Sequence, residues 1–483
     1  MNYSVLRYTI GKILRIVSLL MILPLIIAFI YQEPLRNKIA FALTVVITYI
    51  FGWLLSLRRP EDNHYFAREG LAIVCISWFL LSFFGGLPFF ISGEIPNLLD
   101  SFFEAVSGFT TTGASIIPNI ESISHSLLFW RSFTHLIGGM GVLVFTLAVL
   151  PKASHDTVHI MKAEVPGPSF EKLLSKVRDT ARILYAIYIS MTAILIIILI
   201  ICGMPVFDAA IHAFGAAGTG GFGIKSNSVA YYNSPIIEYV LGIAMLLFAC
   251  NFNLYYLLLI KEFKQVAKNE EIRWFFGIFA GAVILIFINL APNYDGNYLN
   301  LFRDVFFTVA SIQTTTGYST VNFGDWPTFS HVILLGVMFV GGCAGSTAGG
   351  IKASRIAIYI KQAFGHLKQT ISPNRTIVLK QERRPLNQDA LISSGNYLAL
   401  YTFSFIIFLI IASINAPDFL SSFSAVAATL NNIGPGLGVI GPASSYASLS
   451  SLSKATLSVA MIAGRLEIVP VLVMFSPRMW KRY

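Results

Sequence analysis

Charged residues and cysteines are both scarce in this sequence. Only 12% of its 483 residues are Asp, Glu, Lys or Arg, which excludes the ordinary classes of soluble domain. The four cysteines, Cys75, Cys202, Cys250 and Cys343, lie in or at the edges of apolar stretches without metal-ligand spacing. We therefore expect neither a disulfide framework nor a metal site built on thiolates. What the chain has in abundance is apolar residues: 55% are hydrophobic and the mean hydropathy is +0.70, which indicates a polytopic membrane protein.

Motifs that mark several other functions are missing as well. We find no ATP-binding motif and no convergent His, Asp, Ser or Cys groups at catalytic spacing, so we expect neither an ATP-driven pump nor an enzyme. Nothing resembles an RNA-binding or zinc module, and we expect no nucleic-acid partner. The stretch GTGGFG at 218–223 matches the glycine pattern of dinucleotide-binding folds, but it follows an apolar helical stretch rather than a strand. We expect this chain to bind no cofactor.

Stretches long enough to cross a hydrocarbon core of about 30 Å occur ten times along the chain. The first is too long for a signal peptide and has no small-residue cleavage site, so we interpret it as a retained helix. The sequence thus predicts an all-α membrane protein with ten transmembrane helices, at residues 8–30, 38–58, 69–92, 127–150, 179–203, 234–260, 273–292, 329–350, 391–415 and 452–475. Most of the 34 basic residues fall on one side when the termini and alternate loops share that side, which predicts cytoplasmic N- and C-termini.

One pattern occurs four times. Gly113, Gly221, Gly317 and Gly434 each follow a short apolar stretch, and thirteen residues upstream of each lies an aspartate or, in the fourth copy, a serine. These upstream residues are Asp100, Asp208, Asp304 and Ser421. Asp and Ser are preferred helix N-caps, so we expect each to begin a helix of about ten residues, roughly 15 Å long, that reaches only halfway through a bilayer. A non-helical segment then follows.

Non-helical backbone at membrane depth is tolerated only where it is buried in protein or lines a watery cavity. Four such segments, each between two spans, predict four pseudo-symmetric helix–pore-loop–helix repeats around one central pore. Their carbonyls can replace the hydration shell of a monovalent cation. The alternative is that these Gly/Thr runs are only helix-packing surfaces. The predicted divisions are two extra N-terminal helices at 1–64 and repeats at 65–155, 156–268, 269–388 and 389–483.

Longer motifs, among them TTTGYST, MKAEVPGP, GGCAGSTAGGIKASR and AGRLEIVPVLVMFSP, resemble those of the Trk/Ktr/HKT superfamily of potassium transporters, in particular the TrkH/TrkG family. The resemblance implies potassium uptake across the bacterial cytoplasmic (inner) membrane through a channel-like pore, with K⁺ as the transported ion. It also implies a homodimer among membrane lipids and a separate cytosolic nucleotide-binding regulatory subunit of the TrkA type. A Na⁺- or H⁺-coupled potassium symporter is the alternative, because nothing in the sequence excludes coupling.

The resemblance assigns roles to individual residues. The implied selectivity filter consists of Thr111, Thr112, Gly113, Thr219, Gly220, Gly221, Thr315, Thr316, Gly317, Asn432, Ile433 and Gly434. The glycine-rich stretch 341–350 is expected to interrupt its helix, because each glycine costs about 1 kcal/mol relative to alanine. The resemblance makes it an intramembrane gate, formed by Gly345, Ser346, Thr347, Ala348, Gly349, Gly350 and Lys352. The alternative is a kink packed on neighbouring helices.

Other polar groups in apolar surroundings are candidates for function. Arg465 lies inside the last span, and the resemblance implies that it forms a barrier to cations below the filter. The alternative is a structural pair with Glu467.

Further predictions concern histidines, acidic residues and one basic segment. We interpret His135 and His212 as structural rather than as proton relays. We interpret Glu104 and Glu121 as solvated charges rather than as an acidic mouth. In the basic segment 361–388, the alternation of RTIVLK predicts a short hairpin that extends the gate toward a partner; an ordinary positive-inside loop or a lipid contact are the alternatives.

Overall fold

The computed structural model describes residues 1–60, 67–141, 177–372, 378–382, 384–386 and 388–480. Over these residues the secondary structure is almost all helix, together with one small hairpin. Six of the described helices are long and apolar enough to cross a membrane: Tyr3–Ile30, Leu35–Ser56, Arg68–Ser92, Ala181–Ile201, Glu270–Tyr294 and Leu391–Ser413. The pair Pro235–Phe248 and Phe252–Leu259 is a further candidate, bent by 91°.

Shorter helices complete the described architecture. Four of them, which we call the four short helices, lie between longer ones: Leu98–Phe109, Val206–Gly218, Tyr298–Gln313 and Phe419–Leu430. The others are His125–Gly139, Phe263–Lys268, Thr328–Val340, Ala353–Ile371, Ser451–Arg465, Val469–Met474 and Pro477–Trp480. The residues of the four short helices are mostly buried, which places these helices inside the protein rather than on its surface.

The two N-terminal helices pack closely and attach to the rest of the protein through a carboxylate. A Cβ on Gly11 would lie 2.5 Å from the carbonyl oxygen of Gly52, so small residues let these backbones cross in contact. Glu33, in the connection between the two helices, accepts hydrogen bonds from the N–H of Ser126 at 2.7 Å and from its hydroxyl at 2.5 Å. Glu33 therefore caps the start of the helix His125–Gly139.

The predicted caps of the short helices are wrong, although the helices exist. Asn97, Asn297 and Asp418 cap the first, third and fourth short helices, and Pro205 precedes the second. The helices begin before the predicted positions, so the aspartates lie within them and bond to other elements. Asp100 pairs with Lys454 at 3.0 Å, Asp208 accepts from the hydroxyl of Tyr232 at 2.7 Å, and Asp304 accepts from that of Tyr294 at 3.0 Å.

Several of the ten predicted spans are interrupted well before their predicted ends. In the predicted span 127–150, the helix ends at Gly139. The break predicted within 341–350 is confirmed, since one helix ends at Val340 and the next begins at Ala353. The breaks after Phe248 and Arg465 were not predicted. Residues 142–150 of the predicted span 127–150 lie outside the described residues.

A hairpin with two residues per strand is present in the basic segment, but of the described residues of RTIVLK only Lys380 lies in it. Lys380–Gln381 pairs antiparallel with Arg384–Pro385, while residues 375–377 of RTIVLK lie outside the described residues. Lys361 donates to the carbonyl of Lys380 at 2.7 Å, and the N–H of Glu382 donates to Glu270 at 3.1 Å. The hairpin is thereby attached to the helices Ala353–Ile371 and Glu270–Leu290.

Candidate functional site

Each of the four short helices ends in the same backbone turn. We call residues 110–113, 219–221, 314–317 and 431–434 the four turn segments. Each contains a non-glycine residue with a left-handed φ of 55–58° and, two positions later, a glycine with a φ of 73–98°. The left-handed residues are Thr111, Thr219, Thr315 and Asn432, and the glycines are Gly113, Gly221, Gly317 and Gly434.

A backbone hydrogen bond of 2.8–2.9 Å closes each turn, from the residue after the left-handed position to a carbonyl five residues earlier. The pairs are Thr112 to Ser107, Gly220 to Gly215, Thr316 to Ser311 and Ile433 to Ala428. This is the Schellman pattern, which satisfies carbonyls at a helix end and turns the chain away from the helix axis.

The four turn segments contact one another in a closed ring. A Cβ on each glycine would overlap a backbone carbonyl of the next segment, at 1.9–2.6 Å. The pairs are Gly113 with Gly220, Gly221 with Thr316, Gly317 with Ile433, and Gly434 with Thr112. Only glycine fits at these four positions, because its neighbour is backbone and its φ is positive. All twelve residues of the predicted filter lie in this ring.

Side chains in the ring bond mostly to one another and to neighbouring backbone. The hydroxyls of Thr110 and Thr112 lie 2.8 Å apart, as do those of Thr314 and Thr316 in the third segment. The amide of Asn432 donates to the hydroxyl of Thr112 at 2.9 Å, which joins the fourth segment to the first.

Loop 341–352 packs against the start of the third and fourth turn segments. The N–H of Gly349 donates to the hydroxyl of Thr315 at 2.7 Å, and a Cβ on Gly349 would lie 2.2 Å from the carbonyl oxygen of Asn431. Within the loop, the ammonium of Lys352 donates to the carbonyl of Ala348. The residues predicted as a gate therefore lie directly beside the ring.

The two unpredicted features around this loop are the break after Phe248 and the side chain of Glu271. The N–H of Cys343 donates to the carbonyl of Ala249 at 2.9 Å, so a backbone carbonyl that the break leaves free of helix bonding holds the loop. Glu271 accepts from the N–H of Ala344 at 2.6 Å and from that of Ser354 at 3.3 Å, which connects the loop to the start of the helix Ala353–Ile371. From the sequence alone, Glu271 would be expected only to stabilise the N-terminus of its helix through its negative charge.

Arg465 joins the loop to another helix end. Its guanidinium donates to the carbonyls of Thr347 at 2.7 Å and of Gly138 and Gly139 at 2.6 Å each. The carboxylate of Glu467 accepts two hydrogen bonds from Arg355, both at 2.8 Å. Glu467 is thus held by Arg355, whereas Arg465 contacts three backbone carbonyls, one of them in the loop.

Comparison with known proteins decides the family of this chain. The sequence profile of the TrkH family, described as a cation transport protein, matches residues 37–482. The chain belongs to the TrkH family.

Relatives cover its whole length. The Trk system potassium uptake protein TrkH of Salmonella typhimurium is 36% identical over 487 residues, which is 100% of both chains. The Trk system potassium uptake protein TrkG of Escherichia coli K12 is 33% identical and covers 99% of both. The crystal structure of the potassium transporter TrkH from Vibrio parahaemolyticus matches with a TM-score of 0.89, at 31% identity and 100% coverage of both chains.

On the side of the ring away from loop 341–352, this TrkH-family chain has a polar cavity. The four ring glycines line it, together with Arg131. The prediction that Glu104 is a solvated charge is wrong: its side chain is fully buried and forms an ion pair with Arg131. Glu104 lies on the side of the first short helix that faces the protein interior. The sequence pattern did not indicate this.

Glu121 is exposed, as predicted for a solvated charge. It accepts hydrogen bonds from the hydroxyl of Ser226 at 2.5 Å and from its N–H at 2.8 Å. The bond from the Ser226 hydroxyl, with that from the backbone, holds the pKa of the Glu121 carboxyl below its usual range. The contact joins two loops near the cavity.

The two predicted structural histidines are buried and bonded to backbone. His135 contacts the carbonyl of Gly108 through Nδ1 at 2.9 Å and accepts from the N–H of Phe222 through Nε2 at 3.4 Å, which joins the first short helix to the residue after the second turn segment. His212 donates through Nδ1 to the carbonyl of Asp208 at 2.8 Å. These contacts support the structural interpretation.

Among the described residues, no group of three or more His, Cys, Asp or Glu side chains is arranged to hold a metal ion. The oxygen atoms of the ring include backbone carbonyls and threonine hydroxyls, which are the kind of ligand that suits a hard monovalent cation.

Proposed function

We propose that this chain is the membrane subunit of a potassium uptake system of the bacterial inner membrane, in which K⁺ crosses through a channel-like pore. The closed ring of four turn segments carries the proposal, because it brings four sets of backbone oxygens together at the buried ends of four short helices. Relatives along the whole chain that are named potassium uptake proteins support K⁺ as the ion.

The four turns belong to four pseudo-symmetric helix–pore-loop–helix repeats, at 65–155, 156–268, 269–388 and 389–483. The repeated φ pattern and the repeated Schellman bond support this division, because unrelated loops would have no reason to share both. The two helices within 1–64 lie outside the repeats and pack against the first of them through Glu33.

The ring acts as the selectivity filter. Carbonyl oxygens replace the water that K⁺ loses on entry, and glycines permit the dihedral angles that such a narrow backbone ring requires. The C-terminal ends of the four short helices run into the turn segments, and their partial negative charge favours a cation there. Since the four turn segments differ in sequence, the ring departs from four-fold symmetry, and the preference for K⁺ over Na⁺ is modest.

Loop 341–352 and Arg465 form the gate. The loop contacts the start of two turn segments, and Arg465 binds a carbonyl of the loop and two carbonyls at the end of the helix His125–Gly139. A positive charge on the ion path raises the energy of a cation passing there. K⁺ then enters the cytoplasm only when the loop moves aside.

The gate is controlled by a cytosolic nucleotide-binding subunit of the TrkA type, and the membrane subunit is a homodimer with cytoplasmic termini. Names of relatives that refer to a Trk system support a multi-subunit assembly. The hairpin at 380–385 and the helix Ala353–Ile371 provide a rigid connection from the cytoplasmic side to Lys352, at the end of the loop. A partner that displaces the hairpin would therefore pull on the gate.

Uptake into liposomes that contain the purified chain tests the proposal. We compare K⁺, Rb⁺, Na⁺ and Li⁺ for the wild type and for a variant lacking residues 345–350, each with and without the cytosolic subunit. Preferential passage of K⁺ and Rb⁺, increased in the loop variant, supports both filter and gate. If no cation passes under any of these conditions, the proposal fails. Uptake that requires an imposed Na⁺ or H⁺ gradient would identify a symporter instead of a channel-like pore.

A further inference from the structure

We propose that the buried ion pair between Glu104 and Arg131 positions the cavity ends of the first two turn segments and thereby sets the cation selectivity of the ring. This inference rests on the proposed function. Both side chains are almost completely buried, with residue exposures of 0% for Glu104 and 2% for Arg131. A buried pair is rigid only when its remaining donors and acceptors are also bonded, and those additional bonds lead to the turn segments.

Glu104 holds the chain that leaves the first turn segment. Its Oε2 accepts from the N–H of Ile116 at 2.8 Å, and its Oε1 accepts from the hydroxyl of Ser115 at 3.2 Å. Ser115 and Ile116 come two and three residues after the ring glycine Gly113. The exit of this segment is therefore bound to the first short helix through one carboxylate.

Arg131 holds the chain that leaves the second turn segment. Its Nη1 donates to the carbonyl of Gly223 at 3.0 Å, and its guanidinium lies 3.7 Å from the ring centroid of Phe222. Both residues directly follow Gly221. The ion pair thus connects the exits of two neighbouring ring segments, which also touch at Gly113 and Gly220.

At the equivalent sequence positions, a carboxylate and a guanidinium occur together in the first repeat and not in the other three. The position nine residues before each ring glycine is Glu104 in the first repeat and His212, Thr308 and Ala425 in the others. The position eighteen residues after each ring glycine is Arg131 in the first repeat and Tyr239, Leu335 and Leu452 in the others. None of the other three combinations can form an ion pair of a carboxylate with a guanidinium, so this boundary is held differently from the rest.

The chemistry explains why selectivity is the property affected. Discrimination between K⁺ and the smaller Na⁺ requires that carbonyls resist moving inward around the smaller ion, and a pair that fixes two segment exits supplies that resistance. Glu104 also neutralises a guanidinium that lines the cavity, so Arg131 positions backbone there without presenting an uncompensated charge to an arriving cation.

The test measures K⁺ and Na⁺ uptake into liposomes that contain the full chain. Glu104→Gln keeps the shape and removes the charge, whereas Arg131→Lys keeps the charge and removes the planar guanidinium. Asp100→Asn is the matched control, because Asp100 is a carboxylate on the same short helix that pairs with Lys454 rather than with a turn segment. We expect the K⁺/Na⁺ uptake ratio to fall severalfold in the two pair variants and to stay at the wild-type value in the control.

The inference is overturned if both pair variants lower K⁺ and Na⁺ uptake by the same factor, because a merely structural role leaves the ratio unchanged. If either pair variant fails to insert as a folded protein, Phe222→Leu replaces it in the test. This variant keeps the ion pair and removes the aromatic ring beside the guanidinium, and we expect a smaller fall in the K⁺/Na⁺ uptake ratio. An unchanged ratio in that variant also counts against the inference. A wild type without K⁺ preference would refute the proposed function rather than this inference.

Discussion

Replacement of Arg465 by methionine tests the gate most directly. Methionine is apolar and unbranched, so Arg465→Met removes the charge and its donors while it keeps an extended side chain. In the wild type, the guanidinium donates to Thr347 in loop 341–352 at 2.7 Å, and to Gly138 and Gly139 at 2.6 Å. The variant therefore disconnects the loop from the helix His125–Gly139.

The bond to Thr347 is the one that opposes movement of the loop. A hydrogen bond to a charged group contributes about 1.5–3 kcal/mol. Since 1.4 kcal/mol corresponds to a factor of ten in an equilibrium constant, its loss shifts the balance between closed and displaced loop by roughly 10- to 150-fold. The loss of positive charge acts in the same direction, because it lowers the energy of a cation at that point.

The assay is Rb⁺ uptake into liposomes by the chain alone, where the proposed gate would limit the wild type. We expect faster uptake by Arg465→Met, up to the limit set by a fully displaced loop. Arg273→Gln is the control, because Arg273 also donates to two backbone carbonyls, those of Asn269 and Lys268, but is exposed, and both carbonyls lie just before the start of its own helix rather than in the loop. Uptake by Arg465→Met at or below the wild-type rate, from a folded variant, would refute the role of Arg465 as a barrier.

Three further predictions concern single positions. Gly349→Ala places a Cβ against backbone of the fourth turn segment and should displace the loop, which raises Rb⁺ uptake, whereas Gly336→Ala, with nothing within 4 Å of its Cβ, should leave uptake unchanged. Gly221→Ala, at a φ of 73° and with a Cβ 1.9 Å from a carbonyl of the third segment, should abolish K⁺-selective uptake in the same assay. The bonds from Ser226 lower the pKa of Glu121 in the folded protein below its value in the unfolded chain. The contact therefore stabilises the fold at pH values above the unfolded-state pKa, and this stabilisation is lost as the pH falls through the folded-state pKa. Thermal unfolding in detergent should thus show a deficit for Glu121→Gln at neutral pH that disappears in acid; a deficit independent of pH would contradict this.

The parts of the site that were predictable from the sequence depend on local chemistry. Gly113 and its three counterparts were identifiable because each follows a short apolar stretch at the same distance from an Asp or Ser, and because glycine permits a positive φ that other residues resist. The break between Val340 and Ala353 was predictable because glycine at that density destabilises a helix wherever it occurs.

The wrong predictions concern residues whose partners are distant in the chain. Asp100 has the right residue type for a cap, but Asn97 lies nearer the helix start and Lys454 takes the carboxylate. Glu104 looks like surface charge until Arg131, from the following helix, is placed beside it. The break after Phe248 follows ordinary apolar sequence, and it is held by backbone bonds to loop 341–352.

The sequence by itself thus determined that the chain is a helical membrane protein, where its four turns lie and where one helix must break, because hydropathy and glycine conformation act within a few residues. Only the tertiary structure decided that the four turns close into a ring, that loop 341–352 lies against it, and that Arg465, Glu271 and the pair of Glu104 with Arg131 hold these parts in place. The physical reason is that a buried charge is stable only where donors or acceptors surround it, and here they come from segments far apart in the chain.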